Sequence, residues 1–259
     1  MRISSLLLAT LSLVMGPATA FATDVESITV ETSRGVSQPF QLITPNNPKA
    51  GAILFIGGDG TLGSNKNNFL VTTLESFAEK GLTVALVTQP SDKETLNAQF
   101  RLGNAHAGDI IAVISYLKGK ADVPIWLVGT SMGTFSATSV AIKKQREISG
   151  LVLTSTMTHL TSKFGAIVDR FPDGVASMTL GKIRVPVLIM SHNGDSCEYT
   201  PPADAAKLKR KLSKSARVEI VKLKGGLPAE SDPCHARSEH GFYGIEDEAV
   251  KRIVSFITQ

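Results

Sequence analysis

Short apolar runs alternate with stretches of helical periodicity along almost the whole chain. Ala52–Ile56, Leu82–Val87, Ile125–Val128, Leu151–Leu153, Val185–Met190 and Val218–Leu223 are rich in aliphatic residues and too short for helices. Runs that are apolar at successive positions are the mark of strands buried on both faces of a parallel sheet. Between them, Phe69, Leu70, Leu74, Phe77 and Ala78 recur at helical spacing as far as Gly81, and Ile110, Val113, Ile114 and Leu117 do the same. Further helices are predicted over Met132–Lys144, Ala203–Leu212 and Asp247–Ile257. Ser27–Thr32 and Phe40–Thr44, separated by a Gly-containing turn, read as an opening antiparallel pair. Strands alternating with helices require crossover connections. The expected architecture is therefore α/β: a mostly parallel sheet of about eight strands with helices on both faces. Thr156–Ile183 is the one long interval without a strand, and it leaves room for a small lid at most. With no internal repeat and no low-complexity linker, a single domain is expected.

The first residues follow another pattern. Arg2 precedes the mostly apolar stretch Ile3–Val14, Gly16-Pro17 breaks it, and Ala18-Thr19-Ala20 supplies the small-x-small pattern of a signal-peptidase site. A signal peptide is expected over 1–20 and the mature domain over 21–259, with Ala20-Phe21-Ala22 as a competing cleavage site. The stretch falls short of the roughly 20 apolar residues of a membrane span, and no later segment reaches that length. A periplasmic or secreted location follows, without an integral membrane span. In an oxidising compartment the chain's two cysteines, Cys197 and Cys234, are expected to pair. That bond would close a loop of about forty residues, worth roughly 3–4 kcal/mol.

Composition narrows the partners. Hydrophobic residues make up 42% and charged residues 19%, ordinary globular usage that excludes a disordered or coiled-coil chain. The net charge of +4 is scattered, and its densest run, KLKRKLSK at 207–214, suits a solvated helix face. No nucleic-acid partner is expected. Two cysteines are too few for a disulfide scaffold or a structural zinc site.

The chemistry centres on Gly129-Thr130-Ser131-Met132-Gly133, which follows the strand PIWLV and opens a helix. A serine on a sharp strand-to-helix turn is pushed out above the sheet edge, and glycines two positions away on each side relieve the crowding. The Met132 N–H then lies at a helix N-terminus, where an oxyanion would develop. An unactivated serine needs a base, and the base needs an orienting carboxylate. Asp195 lies just past the strand VPVLIM, and His240 lies between the last strand and the closing helix, in the order such a site requires. Glu198 and Asp232 are rival acids. His159 and His192 lie beyond strand ends and could line a pocket; His106 is expected to be solvated at a helix start, and His235 adjoins Cys234. A zinc site from His192, Asp195 and His240 lacks any supporting ligand spacing. The glycines of Ile56-Gly57-Gly58-Asp59-Gly60 allow close backbone approach, so that Gly58 or Asp59 could give a second oxyanion N–H. Neither a P-loop nor G-x-G-x-x-G is present to make this loop a phosphate cradle.

Over nearly all of the mature chain these residues resemble the α/β-hydrolase family, particularly small, nearly lid-less bacterial members related to dienelactone hydrolases. The resemblance rests on Gly57-Gly58, the Gly129–Gly133 turn, Asp195 and His240-Gly241-Phe242. It implies Ser131 as nucleophile, His240 as base, Asp195 as its orienter, and Gly58 and Met132 as oxyanion donors. Many dienelactone hydrolases carry Cys at the nucleophile position, and the family often has His where Ile56 stands. The Ser favours an ester over that specialised lactone. The expected activity is hydrolysis of a small carboxylic ester through an acyl-enzyme, with no cofactor and no metal. A peptidase or acyltransferase using the same residues is the first alternative, and a non-catalytic binding module on this scaffold is the second. A Cys197–Cys234 bond would tie the acid loop to the histidine loop.

Overall fold

The computed structural model describes residues 24–259; the expected signal peptide, with both cleavage sites, lies outside them. Among the described residues eight strands form one sheet: β1 (Glu26–Glu31), β2 (Ser37–Ile43), β3 (Ala50–Phe55), β4 (Leu82–Val87), β5 (Ile125–Ser131), β6 (Gly150–Thr156), β7 (Val187–His192) and β8 (Val218–Leu223). Their spatial order is β1-β2-β4-β3-β5-β6-β7-β8. The β1–β2 and β2–β4 pairs are antiparallel, and every other pair is parallel.

Residues along β5 explain why its sequence lacks alternation. Ile125 and Leu127 face a core shared with the helices Asn104–Lys120 and Gly133–Lys144, whereas Trp126 and Val128 face a second core beneath Leu74–Glu79 and Glu246–Ile257. Both faces are covered, so every position must be apolar. The parallel strands all point their C-terminal ends to one edge. Phe55 pairs with Gly129 across β3 and β5, which sets the Gly57-Gly58 loop beside the end of β5.

Two local expectations are corrected. The helical spacing over 69–78 belongs to two helices, Phe69–Thr72 and Leu74–Glu79, because Thr73 turns out of the helix (φ −108°, ψ 10°) and its hydroxyl donates to the Phe69 carbonyl at 2.7 Å. Thr156–Ile183 agrees with its expectation: past the end of β6 it holds no strand and only the one-turn helices Ser162–Phe164, Ile167–Arg170, Gly174–Ser177 and Leu180–Lys182. His106 is fully buried rather than solvated, because its helix begins two residues earlier and turns the ring between Phe55 and Phe100. The basic run behaves as expected: Leu208 is buried, and Lys209, Arg210 and Lys211 are exposed. No helix among the described residues is long and apolar enough to cross a membrane.

Candidate active site

Ser131 closes β5 with a left-handed backbone, φ +51°, and the β5–β6 register shifts between Thr130 and Ser131. That conformation costs a non-glycine residue about 1–2 kcal/mol and must be held by its surroundings. The holding is visible at the two flanking glycines. A Cβ on Gly133 would meet the Phe55 carbonyl oxygen at 1.9 Å, and one on Gly129 would meet the Gly133 carbonyl oxygen at 2.6 Å. The new helix therefore starts in backbone contact with β3 and β5, and Met132 enters it with helical dihedrals.

Asp195 follows the end of β7, and His240 lies in the turn Glu239–Gly241. Both side chains are buried, and His240 Nδ1 lies 3.2 Å from Asp195 Oδ2. The second carboxylate oxygen, Oδ1, accepts the Cys197 N–H at 3.0 Å. Thr200, which sequence reasoning missed, completes the arrangement. Its buried hydroxyl donates to Asp195 Oδ2 at 2.9 Å and lies 3.0 Å from His240 Nδ1. Ser155, also missed, is the penultimate residue of β6, with φ +41°, and donates to the His240 carbonyl at 2.7 Å. Nothing in a linear pattern distinguishes these two hydroxyls from the chain's other serines and threonines. Phe242, buried against Phe69, anchors the far side of the histidine turn.

Cys197 and Cys234 form a disulfide, and the Cys197 sulfur lies within 4.8 Å of the ligand atoms of Asp195 and His240. Those three residues do not suit a metal, because a disulfide sulfur offers no thiolate and the other two groups are bonded to each other.

At the β3 end, the carbonyls of the Gly57–Asp59 loop are all hydrogen-bonded. The Gly57 carbonyl accepts from the Gly60 N–H at 3.2 Å, Gly58 from Arg101 Nη2 at 3.3 Å, and Asp59 from the Leu96 N–H at 2.6 Å. Gly58, at φ +52°, lines two cavities. One, of about 310 Å³, is also lined by Ser131 and His240. The other, of about 550 Å³, is lined by Met132 and walled by Leu96, Ala98, Phe164 and Ile167.

The remaining candidates separate from this centre. His192 has both ring nitrogens occupied, by the Gly225 carbonyl and the Gly194 N–H. His159 is exposed and bonded to the Glu198 carbonyl, and Glu198 and Asp232 are exposed. His235 lines the smaller cavity as an exposed side chain 3.7 Å from Asp232.

Residues 94–222 match a family model described as serine aminopeptidase, S33; this stretch holds Ser131 and Asp195 and ends before His240. No curated protein matches the chain in sequence. Among solved structures, an esterase of Pyrococcus furiosus superposes with a TM-score of 0.63 at 15% identity, covering 91% of this chain and 92% of that one. A dienelactone hydrolase of Anabaena variabilis gives 0.58 at 15% identity, covering 92% and 97%. A serine hydrolase without lid from Xanthomonas campestris gives 0.57 at 16% identity, covering 90% and 96%. Fold and family model agree, and the chain has the α/β-hydrolase fold.

Proposed function

We propose that this protein is a serine hydrolase that cleaves a small carboxylic ester through a Ser131–His240–Asp195 triad. The observation that carries the reading is the buried Asp195–His240 pair behind a cavity that His240 shares with Ser131, whose backbone is held in a strained turn. Ser131 Oγ attacks the ester carbonyl while its proton passes to His240 Nε2. The tetrahedral oxyanion is met by the Met132 N–H and by the N–H of Gly58 or of Asp59. His240 then gives the proton to the departing alkoxide as the C–O bond breaks, leaving the acyl group on Ser131. Water, deprotonated by His240, repeats the sequence and releases the acid.

Proton delivery fixes the two sides of the cleft. The leaving oxygen must lie within hydrogen-bond reach of His240, so the alcohol occupies the cavity lined by His240, Asn68, Ser231 and Arg237. The acyl group then lies across Gly58, in the cavity beside Met132. A cleaved signal peptide and a periplasmic or secreted location belong to the same proposal, supported by the leader-like sequence and the disulfide.

The test is intact-mass analysis after a fluorophosphonate probe, beside a p-nitrophenyl acetate assay, on wild type and Ser131→Ala. One adduct on wild type, none on the variant, and a loss of turnover of roughly 10⁴-fold or more are expected. A folded, oxidised wild type that takes no adduct and shows no turnover would favour the binding module. The family model's description favours a peptidase as the second reading. Turnover of an aminoacyl p-nitroanilide exceeding that of the ester would establish it.

A further inference from the structure

Arg101 heads the fully buried side chains by size, and the mechanism above leaves it without a role. A guanidinium taken out of water is costly unless a carboxylate neutralises it. Among the described residues no carboxylate touches this one. Its donors go to the Leu96 carbonyl (Nε, 3.0 Å), the Ser136 hydroxyl (Nη1, 3.0 Å) and the Gly58 carbonyl (Nη2, 3.3 Å). The nearest opposite charge, Asp59, turns its Oδ1 to the Thr61 N–H and hydroxyl and to Asn65. Burial pushes the Arg101 pKa down to about 9, which still leaves it charged at neutral pH.

All three acceptors belong to the machinery around the oxyanion. Gly58 and Asp59 are the candidate donors of the loop, Leu96 holds the Asp59 carbonyl, and Ser136 lies on the helix that Met132 opens. We infer that Arg101 is a positioning residue for the oxyanion site, its buried guanidinium tying the Gly58 loop to the helix behind Ser131 and setting a fixed positive charge on the core side of the donors. In a planar trans peptide the carbonyl and the following N–H point opposite ways. Holding the Gly58 carbonyl from within therefore turns the Asp59 N–H outward, toward the cavity that both residues line. Donors fixed before the reaction avoid reorganisation when charge develops, and a cation in a low-dielectric interior acts strongly on that charge. The inference rests on Ser131 as nucleophile.

The test compares Arg101→Met, Arg101→Lys and Ser136→Ala with wild type. For each, kcat and KM on p-nitrophenyl acetate, melting temperature and the Ki of an aryl trifluoromethyl ketone are measured; the ketone's adduct with Ser131 carries an oxyanion. Arg101→Met is expected to lower kcat by roughly 30–100-fold with KM within about twofold, and to weaken the ketone by a similar factor. Arg101→Lys, which keeps the charge, should lose less than about tenfold, and Ser136→Ala, which frees one anchor, about threefold. A folded Arg101→Met with wild-type kcat and Ki, or with a loss in KM alone, overturns the inference. Should that variant not fold, Arg101→Lys and Ser136→Ala both at wild-type kcat and Ki overturn it equally. A wild type inert to ester and fluorophosphonate overturns the nucleophile assignment and this inference together; an active wild type matched by its variants overturns this inference alone.

Discussion

Thr200 holds both members of the acid–base pair with one hydroxyl, donating to Asp195 Oδ2 and facing His240 Nδ1. Thr200→Val keeps the shape and removes that hydrogen bond, a loss of about 1.4 kcal/mol or roughly tenfold. We expect kcat/KM on p-nitrophenyl acetate to fall by about that factor, and Thr200→Ser to restore most of it; equal activity in the two variants would deny Thr200 a positioning role. His106 carries a prediction of another kind. Among the described residues neither of its ring nitrogens has a partner, and burial, aided by the charges of Arg101, Lys143 and Arg34, pushes its pKa down from 6.5 to about 3. Between those values the unfolded chain takes up a proton that the folded chain refuses. Stability from this group is thus complete above pH 6.5 and declines as pH falls toward 3, by up to about 1.4 kcal/mol per pH unit. His106→Leu should flatten the fall in urea midpoint between pH 6.5 and 4.5 without lowering it at pH 7. An unchanged slope would assign the acid sensitivity to other groups.

At the scale of elements, the legible and illegible parts divide by what a linear pattern can encode. Strands β3 to β7 lie between two covered faces, and that demand leaves continuous apolar runs that reveal them within a few residues. The sharp turn at Ser131 was legible too, since close backbone contacts exclude side chains at Gly129 and Gly133. Asp195 and His240 were found by their order after particular strands. Thr200, Ser155 and Arg101 were not, because each acts through a contact between segments distant in sequence. His106 misled because its helix starts earlier than its apolar periodicity suggested. The cysteine pair joins the two long loops after β7 and β8, whose meeting creates the acid–base pair. Removing the bond with Cys197→Ser/Cys234→Ser should cost roughly 3–4 kcal/mol of stability. It should also lower kcat at temperatures where the chain stays folded. A lower melting temperature with wild-type kcat would confine the disulfide to stability, and no change in either would deny it both roles.

For the molecule as a whole, the sheet's C-terminal edge collects Gly58, Ser131 and Asp195 from three separate crossovers and His240 from the loop after the last strand, and the loops above that edge set what can bind. The proposed acyl-side wall is a segment of one-turn helices: Lys163, Phe164 and Ile167 line the cavity together with Leu96 and Ala98. It is tethered rather than free, since Phe164 packs edge-on against Tyr199 with ring centroids 5.2 Å apart and Lys163 Nζ reaches the Tyr199 hydroxyl at 3.3 Å. Tyr199 adjoins Thr200, so the wall shares its footing with the acid loop. A cavity of about 550 Å³ accepts a short or medium acyl chain without any closing motion. Ile167→Trp would fill part of that space away from the hydrogen-bonded pair. Because each excluded methylene is worth about 1–3 kcal/mol in an apolar pocket, the variant should lose roughly tenfold or more in kcat/KM on p-nitrophenyl hexanoate. On the acetate it should stay within about threefold. An equal loss on both esters would move the acyl group out of this cavity, and with it the alcohol from the His240 side.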